Sequence, residues 1–385
     1  MTKIKVLHYS THHEDCGIGR YDEQFIEAMN TENASEVHNE FFSYSPNITK
    51  LMSHDDFTKV LDELRTKLQE FDILHIQHEM SFYTKDELSR MIEVAHQLGK
   101  KVVITIHTAL DAQYKQPQRN GYGPHSIVAF LREKKVAEAF TRTHIEPMCR
   151  ADLILVHNNT TKENLIKHGV DAANITIIIL PVPYVKSVKA GTVLHKALGA
   201  KDDDIIVGMV GFISKTKGVK AAVKALKLLP ENYKLALIGG IHPTGAGEDY
   251  YDEVTDLTIE LGLTDRVYVT GYMDDDDERN RLVMECDVFV YPYDKHYYQY
   301  VSSAALNDAL ANGKPAIVYP TRPFIEMNGE GTVAVCKSPN YYELAREITG
   351  IDRKTFAQAS KEYAQAHSYL KEAGALVAIY AKLVR

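Results

Sequence analysis

The chain has 385 residues, 45% of them hydrophobic, a globular composition too long for one ordinary core, so two domains are expected. A formal net charge of -8 argues against a dedicated nucleic-acid binder, whose surface must offset phosphate charge. Cys16, Cys149, Cys286 and Cys336 lie far apart with no CxxC pair, so neither a zinc site nor a disulfide framework is suggested, and a cytoplasmic setting is expected. No apolar run reaches the ~18 residues of a membrane span, and the first residues are too polar for a signal peptide.

Taken in order, strands are expected over residues 4–9, 37–44, 72–77, 102–107, 153–157 and 175–180. Helices fall between them over 20–30, 55–70, 85–97 and 126–147. Continuous Val/Ile/Leu runs in this βαβ rhythm mean a parallel sheet covered on both faces. Pro181-Val182-Pro183 stiffens the exit, and the segment to about 201 has no strong period, which reads as an interdomain connection. The rhythm restarts at Ile205, with strands over 205–211, 234–240, 266–272, 287–293 and 315–320 and helices from about Gly218, Asp249, Asp277 and Ser302. After a strand over 333–336, helices over 341–349, 354–366 and 369–383 end the chain. Two doubly wound sheets imply a cleft, with ligand bound beyond the carboxyl ends of the strands.

The stretch 297–317 joins an aromatic loop, a helix and a strand. Ser302 and Ser303 are good N-caps, and a capped helix start with free amides is a seat for phosphate. Asn312-Gly313-Lys314-Pro315 stops that helix and releases a short buried strand.

Four further motifs carry chemistry. Asp15-Cys16-Gly17-Ile18-Gly19-Arg20-Tyr21 opens the first helix, but Asp22 stands where a dinucleotide fingerprint needs its third glycine. The loop is either a tight turn or a place where an anion or sugar meets backbone amides. His75-Ile76-Gln77-His78-Glu79 ends the third strand; residues three apart on a strand face opposite sides, which disfavours chelation by the two histidines. His107 ends the next strand, either as a satisfied buried imidazole or as a donor to a sugar hydroxyl. Between strand and helix, Gly211-Phe212-Ile213-Ser214-Lys215-Thr216-Lys217-Gly218 offers two cations beside glycines at a helix start, as a diphosphate requires, although no Walker loop is present. The Asp274 to Asp277 run and Asp202-Asp203-Asp204 read as helix-start and surface carboxylates, not as metal sites.

These residues together resemble the retaining nucleotide-sugar glycosyltransferases of glycosyltransferase family 4, over nearly the whole chain. The resemblance rests on the order and spacing of CGIGRY, IQHE, TIHT, ADLILVHNNTTKENL, GFISKTKG, LIGG, VTGY, DVFVYPY and NGKPAIVYPTRPFIEMNGEGTVAV. It implies an α/β GT-B fold: a Rossmann-like acceptor-side domain over 1–185, a donor-side domain over 186–365, and a C-terminal helix over 366–385 that returns to the first domain. The family's paired glutamates fall at Tyr300 and Asp308, so the first carboxylate is gone. The usual arginine after the phosphate-loop glycine is Phe212, leaving Lys217 as the matched cation and Lys215 as a substitute. A similar subgroup has glutamine and small hydroxyl residues before this helix, like Gln299, Ser302 and Ser303.

What the resemblance implies is hexosyl transfer with retention from a UDP- or GDP-linked sugar to a hydroxyl acceptor, a glycan, glycolipid or small molecule, with no cofactor and no metal. Catalytic roles fall to Lys217, on the leaving group, and His107, on the donor sugar. Donor binding falls to Gly17, Gly211, Lys215, Ser302 and Ser303, to Asp308 at the ribose, and to Tyr272 and Met273 at the base. Two alternatives stand beside this: a GT-B pseudoenzyme that binds a nucleotide or glycan without turnover, and a GT-B nucleotide-sugar epimerase. Residues 113–150 carry seven Lys/Arg against three Glu, a net of +4, so weak peripheral contact with the inner face of a membrane or a lipid-linked acceptor is a further expectation.

Overall fold

The computed structural model describes residues 3–12, 14, 16–112, 124–185, 189–241, 245, 247–273, 275–296, 298–329 and 331–385. Asp15, residues 113–123 of the basic stretch, Asp274 and Tyr297 lie outside the described residues. The chain divides into two compact units, one of Met1–Ile179 with Tyr369–Arg385, the other of Leu180–Ser368. No helix of the described residues is long and apolar enough to cross a membrane.

The first unit holds six parallel strands: β1 Ile4–Tyr9, β2 Val37–Phe41, β3 Ile73–His78, β4 Lys101–Ile106, β5 Leu153–Val156 and β6 Ile175–Ile177. Their order is β2-β1-β3-β4-β5-β6, so the winding reverses between β1 and β3. Every residue of β3 is buried, including His75, Gln77 and His78. β2 and β6 end three residues short of the expected limits, at Phe41 and Ile177. Both are edge strands, and a strand paired on one side stops where its single neighbour stops: the last partners are His8 with Phe41 and Val156 with Ile177.

The long helix expected over 126–147 is interrupted. It runs Pro124–Phe140, widens into a π-type turn over Thr141–Ile145, and resumes as Glu146–Arg150 with Pro147 in its first turn. An interior proline removes an amide donor and its ring strikes the preceding turn, so the helix restarts just before it. The C-terminal helix Tyr369–Val384 packs on the helix Gly17–Glu32. It buries Ala373, Leu376, Val377 and Tyr380.

The second unit also holds six parallel strands: β7 Ile205–Val210, β8 Tyr233–Ile238, β9 Val267–Val269, β10 Val288–Tyr291, β11 Ala316–Val318 and β12 Ala334–Val335. Their order is β12-β11-β10-β7-β8-β9, with the reversal between β7 and β10. The segment expected to be an interdomain connection is part of this unit. It contains the helix Val193–Ala197, too short to reveal a period in sequence. The buried Glu285 carboxylate accepts from the amides of Val193 (2.9 Å), Leu194 (2.8 Å) and His195 (3.2 Å) and so caps that helix from a distance. Near the two chain crossings, the Val182 amide donates to the His367 carbonyl at 2.8 Å.

Candidate functional site

In the second unit the loops after β7 and β10 flank the winding reversal, the place where open α/β sheets receive ligands. Gly211 leaves β7 with φ +113°, and a Cβ there would lie 2.1 Å from Nζ of Lys217. Only glycine therefore permits the Lys217 ammonium to sit over that peptide. The same hypothetical Cβ would lie 3.8 Å from Cβ of Ala305, in the first turn of the helix Ala304–Ala311, so ammonium and helix start converge. Burial pushes the Lys217 pKa down to about 8, with the Asp308 carboxylate opposing that fall. Lys215, two residues earlier in the same short turn, is exposed.

Ser303 caps the helix Ala304–Ala311: its Oγ accepts from the Leu306 amide at 3.1 Å and lies 3.1 Å from the Tyr293 hydroxyl. Ser302 precedes the cap and does not serve as one, since a helix start has a single N-cap position. At the other end Asn312 is the C-cap and Gly313 follows at φ +61°, as the sequence suggests. Asp308 lies in the middle of the helix with its side chain mostly buried, and its Oδ2 is 3.5 Å from Nε of Arg279. Arg279 also pairs with Asp276 at 2.8 Å. Burial alone would lower the Arg279 pKa, and the two carboxylates outweigh it.

After β9, Tyr272 stacks on Phe212 with centroids 5.6 Å apart and planes 9° from parallel. Phe212 thus presents an aromatic ring that backs the loop after β9. Met273 follows Tyr272 and packs at the edge of the apolar core. The Asp run behaves as a helix start: Asp275 accepts from the Asp277 amide at 2.8 Å and the Glu278 amide at 3.0 Å, opening the helix Asp276–Glu285.

In the first unit, the carboxyl ends of β1, β3, β4 and β5 present imidazoles and amides. His107 Nε2 is 2.8 Å from Gln77 Oε1, and Gln77 Nε2 donates to Asp22 Oδ1 at 3.0 Å. Asp22 Oδ1 also lies 2.9 Å from His8 Nδ1, and His8 Nε2 lies 3.1 Å from Asn39 Oδ1. Burial raises the Asp22 carboxyl, but His8 and the hydrogen bonds from His8 and Gln77 outweigh it and hold the group below the ordinary carboxylate range. His75 bridges Thr105 Oγ1 (2.7 Å) and the Tyr380 hydroxyl (2.6 Å), while His78 turns the other way to His144 (3.2 Å). The two histidines of the HxxH motif accordingly face different partners, as their spacing requires.

Among the described residues, one group of three possible metal ligands lies within 4.8 Å, His8, Asp22 and His75, all buried. Every ring nitrogen of its two histidines already has a hydrogen-bond partner, so the group reads as part of the core network. Gly17 opens the helix Gly17–Glu32 with space around it. The constrained glycine of that loop is Gly19, where a Cβ would lie 2.3 Å from the Thr11 carbonyl oxygen.

The structure thus gathers Gly211, Lys217 and Ser303 at one helix start, with Asp308 further along that helix and Tyr272 on the adjoining loop, and sets Lys215 toward solvent. His107 and Gly17 belong to the first unit. Arg279 and Asp22 were missed as contributors: a lone arginine on a charged helix and an aspartate in a non-matching glycine motif carry no spacing signal.

Family models match both halves of the chain, Glycosyltransferase Family 4 over residues 25–183 and Glycosyl transferases group 1 over residues 192–367. The D-inositol 3-phosphate glycosyltransferases of Mycobacteroides abscessus and Xylanimonas cellulosilytica are 28% identical over 171 residues and 29% identical over 210. These matches take in 44% and 52% of this chain and 35% and 44% of the relatives, so the chain spans less than half the length of the curated relatives it matches. Among solved structures, HepE of Anabaena in complex with UDP gives a TM-score of 0.70 at 15% identity, over 99% of this chain and 100% of that one. Sucrose-phosphate synthase of Thermosynechococcus elongatus gives 0.68 at 18% identity, over 99% of each chain. The chain belongs to glycosyltransferase family 4 and has the GT-B class of fold, built from two Rossmann-like units.

Proposed function

We propose that the protein is a glycosyltransferase that moves a hexosyl group, with retention, from a nucleoside-diphosphate sugar to a hydroxyl of a glycan, glycolipid or small molecule. One observation carries the reading: a lysine ammonium lies over Gly211 next to a helix start capped by Ser303. A fixed cation and free first-turn amides stabilise the charge that develops on a departing diphosphate. In this reading Lys217 takes the leaving-group charge and Asp308 accepts from ribose hydroxyls. Arg279 offsets the Asp308 carboxylate, so that Lys217 is not neutralised by it. Tyr272 and Met273 back the base, and His107 holds the donor sugar.

The loss of a carboxylate at Tyr300 is compatible with retention. The bond from the anomeric carbon to the phosphate oxygen breaks, the acceptor oxygen bonds to the same face, and the acceptor proton passes to the leaving phosphate. HepE is described with UDP and with UDP-glucose, which supports UDP-linked donors as the first probes, with GDP-linked ones beside them.

The test is chemical denaturation in UDP, GDP, UDP-glucose and GDP-mannose, paired with analysis of the product. A donor at about 100 times its Kd adds about 2.7 kcal/mol of stability. The expected outcome is stabilisation by one nucleotide and its sugar, with a product that keeps the donor's anomeric configuration. Binding with neither transfer nor hydrolysis would make the protein a pseudoenzyme, and an altered free nucleotide-sugar would make it an epimerase.

A further inference from the structure

The string that runs from His107 into the first unit fixes which nitrogen of that ring carries a proton. Asp22 is 1% exposed and Gln77 is fully buried. The Asp22 carboxylate is ionised, because His8 and the hydrogen bonds of His8 and Gln77 overcome the effect of burial. An ionised carboxylate only accepts, so the Gln77 group 3.0 Å from it must be the NH2 end of the amide. That sets the amide's direction, since the two ends of an amide are told apart by their hydrogen-bond partners. The opposite end, Oε1, then faces His107 Nε2 at 2.8 Å, and an amide oxygen also only accepts. The proton of the His107 ring is therefore on Nε2.

The ring is also neutral. Burial, followed by the neighbouring imidazoles of His157, His78 and His75, holds its pKa well below the ordinary histidine range. Its closest ring neighbours agree with this: His157 lies 5.3 Å away between centroids, with its own pKa pushed down to about 4 by burial, and Tyr21 stands edge-on at 4.8 Å. A neutral imidazole with its proton on Nε2 has a bare lone pair on Nδ1. Such a nitrogen takes a hydrogen bond from a hydroxyl and gives none to a phosphate oxygen.

We propose that Gln77 and Asp22 are positioning residues which lock His107 in the Nε2–H tautomer, so that it presents Nδ1 as an acceptor to a hydroxyl of the donor sugar. The inference rests on the donor reading above and adds to it a specificity: His107 discriminates the sugar and contributes nothing to the diphosphate. Asp22 sets the direction of the amide, and Gln77 transmits that direction to the ring. Neither touches the ligand.

The experiment has two arms. The first is nitrogen NMR of the wild-type protein labelled at histidine, with the His107 signals assigned by their loss in His107→Gln. The expected result is a neutral ring from pH 6 to 8 with the proton on Nε2, on the physical argument that a neutral imidazole carries one proton. A proton on Nδ1, or an imidazolium in that range, would overturn the lock whatever the protein binds. The second arm is Gln77→Met, which keeps the length of the side chain and removes both ends of the amide. The Nδ1–H form should then become populated, and UDP-glucose affinity should fall about tenfold, the equivalent of ~1.4 kcal/mol, while UDP affinity is unchanged. Asp22→Asn, which leaves an oxygen acceptor in place, should retain the wild-type tautomer. If Gln77→Met keeps a pure Nε2–H ring, or weakens UDP and UDP-glucose alike, the positioning role is wrong. A wild-type protein that shows the Nε2–H ring but binds neither UDP-glucose nor GDP-mannose would overturn the donor reading and the sugar contact together, leaving the tautomer lock standing as a structural feature.

Discussion

The two sheets are both six-stranded and parallel, yet they reverse at different places and put opposite chemistry at their carboxyl ends. The first reverses between β1 and β3 and is lined there by hydrogen-bonded side chains: His8, Gln77, the neutral ring of His107, and Asp22, whose Oδ1 is shared by His8 and Gln77. The second reverses between β7 and β10 and carries charge: Lys217, Asp308 and Arg279 above a glycine that gives the ammonium room. Shared architecture thus leaves the chemistry to the residues at the strand ends, hydrogen-bonding groups in the first unit and charged ones in the second. The contrast extends to stability, since the first unit's polar interior depends on a helix supplied from the far end of the chain.

The sharpest way to break that contrast is to remove the helix Tyr369–Val384. Leu376 and Val377 are buried, each contributing about 1.5–3 kcal/mol, and the loss of Tyr380 leaves His75 Nδ1 without its partner at a further cost of about 1–3 kcal/mol. A chain ending before Tyr369 should therefore unfold its first unit at least ~4 kcal/mol more easily, with the second unit's transition in place. Domain-resolved hydrogen exchange reads this directly, and equal loosening of both units would contradict it.

Next in size is the cation. Lys217→Ala removes a preorganised positive group from a developing anion, which is worth about 3 to 4 kcal/mol in the transfer barrier, or roughly two to three orders of magnitude in rate. Lys215→Ala, at an exposed position, should change the rate far less. Single-turnover transfer together with calorimetric UDP and uridine binding tests both: UDP should weaken in parallel with the rate and uridine should not. Wild-type UDP affinity in Lys217→Ala would remove the anion site from the second unit.

A smaller effect sharpens the same point through pH. The Lys217 pKa is lowered to about 8 in the ligand-free protein, and a bound diphosphate raises it again. Below pH 8 the ammonium is already charged and UDP affinity should be level; above it, binding must take up a proton and affinity should fall by up to about tenfold per pH unit, ~1.4 kcal/mol. The folding linkage has the opposite slope: the unfolded lysine keeps its proton up to its ordinary pKa, so this group adds stability as pH rises through 8 toward that value. Calorimetry across pH 7 to 9.5 checks the first, and a flat UDP profile would mean that Lys217 does not meet the phosphates.

The smallest expected effect is none at all. Because the His8–Asp22–His75 group is read as a hydrogen-bond network, and leaving-group charge is assigned to Lys217 and amides, EDTA should leave transfer within about twofold, a change of ~0.4 kcal/mol. Loss of activity restored by manganese or magnesium would place a metal in one of the two sites and end the division between them.

Periodicity made most of the fold legible, since apolar runs and glycine or proline stops mark strands and helices locally. The helix ended by Asn312 and Gly313, the aspartate cap at Asp275 and the glycine under Lys217 were all readable, because each depends on residues close in sequence or on backbone conformation. The limits of β2 and β6 were not, because an edge strand ends where its neighbour does, and neither was the π-type turn that relieves Pro147. The helix Val193–Ala197 escaped for a related reason: its cap, Glu285, is far along the chain.

What the sequence determined by itself was the two-unit α/β architecture, the cation and helix start of the second unit, and the departures at Phe212 and Tyr300. Only the tertiary structure decided the strand orders, the pairing of Asp308 with Arg279, the seating of Tyr380 on His75, and the Asp22–Gln77–His107 string. The physical reason is common to all of these. A hydrogen bond or ion pair has a range of a few ångströms and no memory of sequence distance, so contacts joining Tyr380 to His75 or Gln77 to Asp22 exist only once the sheet brings their strands and helices together.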